Sequence, residues 1–289
     1  MIKTLLVPAT GTEADALAYA TALSVARTFA AHIHALHVRL DPVEVAVSMS
    51  TEGAGGTLLE GIIASLTRDA DEGESKARAG FAEFCSREGL PLVSTLDGNA
   101  AKPSAEFHVE MGQETRWMTT FGFNADLAVA SRGVPGDDAV ARSTLEGLLL
   151  ETGRPLLIPG AAVPAPDFAE RVAIAWKPTP QAARAVGFAM PFLARAKEIA
   201  VLTVEEEDGR RNDTERLVRY LAWHGIKSLA ERLSPGPDGA GATLLAAASA
   251  TGRLLVMGGY GHTRLREWVF GGFTQLVLDE ATVPVLIAH

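Results

Sequence analysis

The sequence predicts an α/β protein of two tandem doubly wound domains, each built around a five-stranded parallel sheet. Three observations predict it. Short apolar runs alternate with Ala- and Leu-rich stretches at helical spacing, the pattern of parallel strands joined by crossover helices. The opening pattern occurs twice: "IKTLLVPATGTEADALAYATALSVARTFAAHIHALHV" (2–38) and "RVAIAWKPTPQAARAVGFAMPFLARAKEIAVLTV" (171–204) each read strand, turn, helix, strand. The closing patterns repeat too. "ADLAVASRG" (125–133) parallels "GRLLVMGGYG" (252–261), and "LEGLLLETGRPLLIPG" (145–160) parallels "TQLVLDEATVPVLIAH" (274–289). At 289 residues and 47% hydrophobic, the chain has enough apolar material for two such units.

The first copy spans about 1–160. It opens on the strand "TLLVP" and an Ala-rich helix, and returns as the strand "HIHALHV". An insertion follows, and the Leu/Ile spacing with Glu, Arg and Lys makes most of Leu58 to Glu88 helical. His108 and Glu110 alternate on a further strand, and Glu114 starts the next helix. "PGAAVPAPDFAE" (159–170), rich in Pro and Ala and without periodicity, reads as a linker. The second copy spans 170–289. Its strands are expected near 171–176, 198–204, 226–232, 253–258 and 284–288, and its helices near 180–195, 213–224, 240–251 and 273–281. Ligands of such sheets sit beyond the carboxyl ends of the strands, where strand order reverses.

Composition narrows the function. A formal net charge of −9 and no long Lys/Arg block argue against nucleic-acid binding. The N-terminal apolar run is too short for a signal peptide. No apolar run reaches the roughly 18 residues of a membrane span. One cysteine, Cys85, excludes an intramolecular disulfide and any cysteine-cluster metal site; its helical context makes it a half-buried core thiol. These features predict a soluble cytoplasmic protein.

The densest chemical signal is "MGGYGHTRLREWVFGGFTQLV" (257–277). The apolar strand "RLLVM" ends at Gly258, and a helix starts just after Gly271 and Gly272. Glycines ahead of a helix N-terminus present free backbone N–H groups and the positive dipole end, with no Cβ to hold a ligand away. Phosphate is the natural anion for that place.

With Gly258, Gly261 and Gly271 spaced Gly-x2-Gly-x9-Gly between such a strand and helix, the second copy resembles a universal stress protein domain. The whole chain resembles the tandem members of that family. The resemblance implies an adenine nucleotide alpha hydrolase-like fold that binds ATP or a related nucleotide, with Mg2+ accompanying it. By position it implies that Met257 and Gly258 lie by ribose and base, that Gly261, Gly271, Gly272 and Phe273 surround the phosphates, that Val204 contacts adenine, and that Ala175, Trp176 and Lys177 form the loop after the first strand. Two positions depart from the family pattern. Gly272 stands where the family has Ser or Thr, and Lys177 stands where it has Asp. Gly272 keeps the backbone donor but loses a hydroxyl contact worth about 1 kcal/mol.

Within the loop, Arg264 and Arg266 are read either as a polyphosphate bracket or as surface ion pairs with neighbours such as Glu267. His262 is read as a turn residue or a phosphate contact, and Trp268 and Phe270 as packing. The first copy lacks the signature. It keeps Gly133 and Gly136, loses the third glycine, introduces Asp137 and Asp138, and carries Thr10 in place of the family's Asp. Carboxylates there repel phosphate unless a metal intervenes, so this copy is expected not to bind ATP.

No Gly-x4-Gly-Lys-Ser/Thr, no dinucleotide fingerprint and no Gly-x-Ser-x-Gly elbow is present. In "HIHALH", His32 and His34 share a strand face and His37 points away. No carboxylate or cysteine completes a local ligand set, so these are read as strand histidines and no metal is expected. A pocket of His108, Glu110 and Arg116 would lack a nucleophile. The acidic runs at 69–74 and 205–208 are read as solvated faces or loops.

Beside the glycine loop the sequence shows no acid/base pair, and no catalytic residue is assigned. The expected protein is a non-enzymatic nucleotide-binding protein of stress response or regulation, acting through its second domain. The alternatives are an interaction module that keeps the fold without the ligand, or a slow ATPase. The two copies are expected to pair through "RPLLIPG" and "TVPVLIA" as an intramolecular pseudo-dimer, and two chains to form a homodimer.

Overall fold

The structure is a computed structural model; it describes residues 1–49, 56–94, 102–132, 138–204, 214–250, 254–259 and 272–289. Two compact units emerge, Ile2–Thr152 and Gly153–His289.

The first unit contains β1 (Thr4–Pro8), α1 (Asp15–Phe29), β2 (His32–Arg39), α2 (Pro42–Met49), α3 (Gly56–Glu88), β3 (Ser104–Met111), α4 (Glu114–Gly122), β4 (Leu127–Val129) and α5 (Asp138–Glu151). Its strands lie in the order β3-β2-β1-β4 and are all parallel. Order reverses between β1, which leads outward to β2, and β4 on its other side. Consecutive buried residues in β1 and β4 show that both faces of the sheet are covered, since neighbouring side chains point to opposite faces. The inserted helix α3 lays Ala77, Phe81, Phe84 and Cys85 inward. Phe81 meets the Tyr19 ring edge-on at 5.1 Å and Phe107 at 5.9 Å. Burial pushes the Cys85 thiol up to about 11, so it is an inert core group. The acidic run on α3 is not merely solvated: Asp71 and Glu74 bracket the Arg39 guanidinium that arrives from β2.

The second unit contains β5 (Leu156–Ile158), β6 (Arg171–Ala175), α6 (Pro180–Leu193), β7 (Glu198–Val204), α7 (Thr214–Trp223), β8 (Leu229–Leu233), α8 (Gly239–Ala250), β9 (Leu254–Gly258), α9 (Gly272–Glu280) and β10 (Val285–Ala288). The second copy's own strands run β10-β9-β6-β7-β8 and are all parallel, with the reversal between β6 and β9. β5, the closing strand of the first copy by sequence, belongs to this compact unit. It pairs antiparallel with β10, with Leu157 opposite Leu286, so the two Pro-led closing strands meet as the repeat suggested. β8 starts three residues later than the sequence pattern indicates, because its ladder with β7 begins at Ala200 and Leu229. As an exposed edge it carries Glu231 and Arg232, charges that discourage edge-to-edge pairing. Among the described residues no helix is long and apolar enough to cross a membrane.

Candidate functional site

At the carboxyl edge of the second sheet, register aligns the residues singled out in the sequence. Ala175 pairs with Met257 on one side and Leu202 on the other, which places Val204 two residues further along β7. The Trp176 N–H donates to Leu202 O at 2.9 Å, continuing the ladder past the end of β6. The chain then turns at Lys177, where the Thr179 N–H donates to Lys177 O at 2.7 Å. Thr179 caps α6, its Oγ1 accepting from the Ala182 N–H at 3.2 Å, and Pro180 fills the first helical position. Lys177 is exposed, whereas Met257 and Val204 are buried. The Trp176 Nε1–H is buried and finds no acceptor among the described residues.

Gly258 has a structural reason to be glycine. A Cβ there would sit 2.4 Å from the Ala182 backbone nitrogen and 2.7 Å from the Gln181 carbonyl carbon. The N-terminus of α6 comes so close to the end of β9 that only a hydrogen fits between them. Gly259 then donates to Ala288 O at 2.8 Å. Gly272, at the start of α9, is exposed, and an added Cβ would meet nothing within 4 Å. Phe273 packs its ring towards Gly241 of α8, so at the edge it can offer only backbone. Gly261 and Gly271 lie outside the described residues, as do His262, Arg264, Arg266, Trp268, Phe270, Gly133, Gly136 and Asp137.

The first unit has a cleft at its own reversal point. It measures about 690 Å³ and is lined by Thr10, Asp15, Glu114, Ser131, Ser143 and Thr144 among others. Asp15 organises its floor. Its carboxylate accepts from the Thr10 N–H (3.1 Å), Thr10 Oγ1 (2.7 Å), the Gly11 N–H (2.8 Å) and the Tyr19 hydroxyl (3.1 Å). Burial pushes this carboxyl above its usual range even against those bonds. Glu114 accepts from Thr144 Oγ1 at 2.8 Å. Sequence reading marked Thr10 as the replacement for an acidic loop residue but missed Asp15, whose carboxylate reaches back to the same loop from the first turn of α1. The available signal was an acidic residue at a helix start, three residues after a Thr-Gly-Thr turn.

The expectation that no carboxylate or cysteine completes the histidine set locally concerns neighbours in sequence; the sheet brings a carboxylate from a remote strand. β2 and β3 pair with His32 opposite Ser104, His34 opposite Glu106 and Leu36 opposite His108. One face therefore gathers three imidazoles around a carboxylate. Glu106 Oε1 lies 3.4 Å from His32 Nε2 and 2.9 Å from His108 Nε2, and contacts His34 Nδ1 directly. Burial lowers the His32 and His34 rings below the ordinary imidazole value, only partly offset by Glu106. Burial also pushes the Glu106 carboxyl up, but the His108 hydrogen bond and the neighbouring rings outweigh it and hold it below the usual range. His108 thus meets Glu106 and the Phe121 ring, at 5.6 Å between centroids, in place of the envisaged partnership with Glu110 and Arg116. His37, on the opposite face, bonds through Nδ1 to Ala9 O at 2.7 Å.

No family model and no curated protein matches the chain. Solved structures do. A universal stress protein from Archaeoglobus fulgidus aligns over 99% of this chain and 97% of its own, with a TM-score of 0.65 at 17% identity. A candidate universal stress protein from Pseudomonas aeruginosa UCBPP-PA14 covers 99% and 93%, with a TM-score of 0.58 at 14% identity. A functionally unknown protein from Pseudomonas aeruginosa PAO1 covers 99% and 92%, with a TM-score of 0.59 at 14% identity. Alignment of whole chain to whole chain matches the doubled architecture rather than one half of it.

Proposed function

From a chain with the fold of the tandem universal stress proteins, we propose a non-enzymatic regulatory protein that binds ATP or a related adenine nucleotide at the carboxyl edge of β6, β7 and β9. The observation that carries this reading is the buried Trp176 Nε1–H, without an acceptor among the described residues, in the row that aligns Ala175, Leu202 and Met257. A buried donor without a partner costs about 1–3 kcal/mol, which a ligand's acceptor would relieve. The donor set fits a nucleotide. Val204 and Met257, buried at the strand ends, would form the apolar floor beneath a base, and Lys177 would bring positive charge. The first turn of α9 at Gly272 supplies N–H groups and the helix dipole for phosphate. When bound, the nucleotide supplies polyphosphate charge, and Mg2+ would be held by its phosphate oxygens. Binding would favour the arrangement of this edge that fits the ligand and so alter affinity for a partner.

The test is calorimetric titration of the nucleotide-stripped full chain with Mg-ATP. Wild type is expected to bind one ATP, Gly261→Arg to abolish binding, and Gly272→Ser to tighten it about fivefold by restoring the hydroxyl. No binding by wild type or Gly272→Ser would end the proposal, as would binding that Gly261→Arg leaves unchanged.

A second reading, an interaction module without nucleotide, rests on Gly258: packing against Ala182 accounts for that glycine without a phosphate. It expects the folded chain to show no thermal shift with ATP.

A further inference from the structure

The cluster on β2 and β3 lies outside the proposed nucleotide edge and is independent of it. His32 and His34 stand near the amino end of β2, before Leu36 and Val38, which line the first unit's cleft. His34 and Glu106 are 72 residues apart in sequence and side by side in the sheet.

We propose that His32, His34 and Glu106 bind one divalent transition-metal ion of zinc's class, with His108 at the fourth position. The ligand chemistry is three imidazoles and one carboxylate, the borderline nitrogen and oxygen donors that suit Zn2+ and its neighbours rather than Mg2+ or Ca2+. One ligand atom each from His32, His34 and Glu106 lies within 4.8 Å of the others. In a tetrahedral zinc site, bonds of about 2.0–2.1 Å place ligand atoms about 3.3–3.4 Å apart. The His32 Nε2 to Glu106 Oε1 separation is already 3.4 Å, and His108 Nε2 lies 2.9 Å from the same oxygen. Around an ion, side-chain rotations would open the shorter Glu106 contacts with His34 and His108 to that spacing.

Two further features fit metal binding. His32 Nδ1 is bonded to Ser104 Oγ at 2.8 Å, which fixes the ring and leaves Nε2 facing the cluster; an outer-shell bond of this kind orients metal-ligating histidines. All three rings also converge on a single carboxylate oxygen, Oε1. That convergence gathers all four candidate ligand side chains in one place. With four protein ligands the site has no open position for water activation, so its role is to clip the edge strand β3 to β2.

The experiment titrates the tag-free, chelator-treated full chain with ZnCl2 by calorimetry, with Co2+ as a spectroscopic probe. Expected are one ion per chain at micromolar or tighter affinity, a four-coordinate Co2+ spectrum, and no displacement by millimolar Mg2+ or Ca2+. Glu106→Gln and His34→Gln should weaken binding at least tenfold. Ser104→Ala, which touches no ion, should weaken it about tenfold. His108→Gln changes a side chain that is 40% exposed; it should keep the fold, as circular dichroism can check, and should shift the Co2+ spectrum. Failure of wild type to retain any ion, or unchanged affinity in both Glu106→Gln and His108→Gln, would overturn the proposal and leave a hydrogen-bonded cluster only.

Discussion

The two units repeat one topology and differ at the place where that topology puts ligands. In the first, the loop after β1 is tied down by its own protein: Asp15 takes the Thr10 and Gly11 N–H groups that would otherwise face the cleft. In the second, the loop after β6 carries Lys177, is capped by Thr179, and leaves the Trp176 indole N–H buried without an acceptor among the described residues. Among the described residues, the first loop is acidic and its Thr10 and Gly11 N–H groups are held by Asp15. Among the described residues, the second carries Lys177 and a buried indole donor without an acceptor. A shared fold thus fixes where a site can be, while a few side chains at the strand ends fix what it can hold. The units also differ in reinforcement, since only the first carries the α3 insertion and the three-histidine cluster.

Substitutions can separate the units, from the largest effect to the smallest. Phe81→Ala removes the ring between Tyr19 and Phe107 under α3 and should destabilise the first unit by about 3–5 kcal/mol. Hydrogen exchange resolved by segment should show the loss in Ile2–Thr152 and leave Gly153–His289 protected; equal loss in both would show that the units do not unfold separately. Gly258→Val is the converse. Its branched Cβ would press on Ala182 N and cost the second unit about 3 kcal/mol; a fully protected second unit would refute the close approach.

Acid distinguishes the units next. In metal-free protein, burial holds His32 and His34 below 6.5, so on acidification the unfolded chain takes up protons that the folded chain refuses. Stability of the first unit should therefore fall as pH drops below about 6.5. Glu106, held below 4.5, adds a further loss only as pH falls below that value. Urea midpoints between pH 7 and 5 should fall in wild type and less in His34→Asn; coincident curves would remove the titration argument. Ser143→Trp, filling the mouth of the first unit's cleft, should leave ATP affinity unchanged. If it weakens binding, the nucleotide sits in the first unit and the comparison must be inverted. Smallest of all, Gly272→Ser should shift stability by less than about 0.5 kcal/mol, because its Cβ enters open space; a larger change in the urea midpoint would show that position to be packed.

Much of the architecture was legible without coordinates. The runs "LLVM" and "VPVLIA" are apolar at every position because both faces of their strands are covered. The Ala-rich stretches carry helical spacing because one face of each packs on a sheet. The edge residues Ala175, Val204 and Met257 could be named because strand ends follow from those runs. What sequence order concealed was proximity. Glu106 joins His32 and His34 only through the parallel register of β2 and β3, and a local search for ligands could not reach it. Asp15 was hidden because its role depends on how α1 returns over the loop after β1.

The sequence by itself determined the doubled α/β pattern, the order of its elements and the glycine-marked strand end, since these follow from hydrophobic periodicity and the backbone demands of Gly and Pro. Tertiary structure alone decided that Gly258 answers to the backbone of Ala182, that β5 pairs with β10 inside the second unit, and that three histidines share one carboxylate. Each of those depends on a distance between segments remote in the chain, and such distances are set by packing and register rather than by local composition.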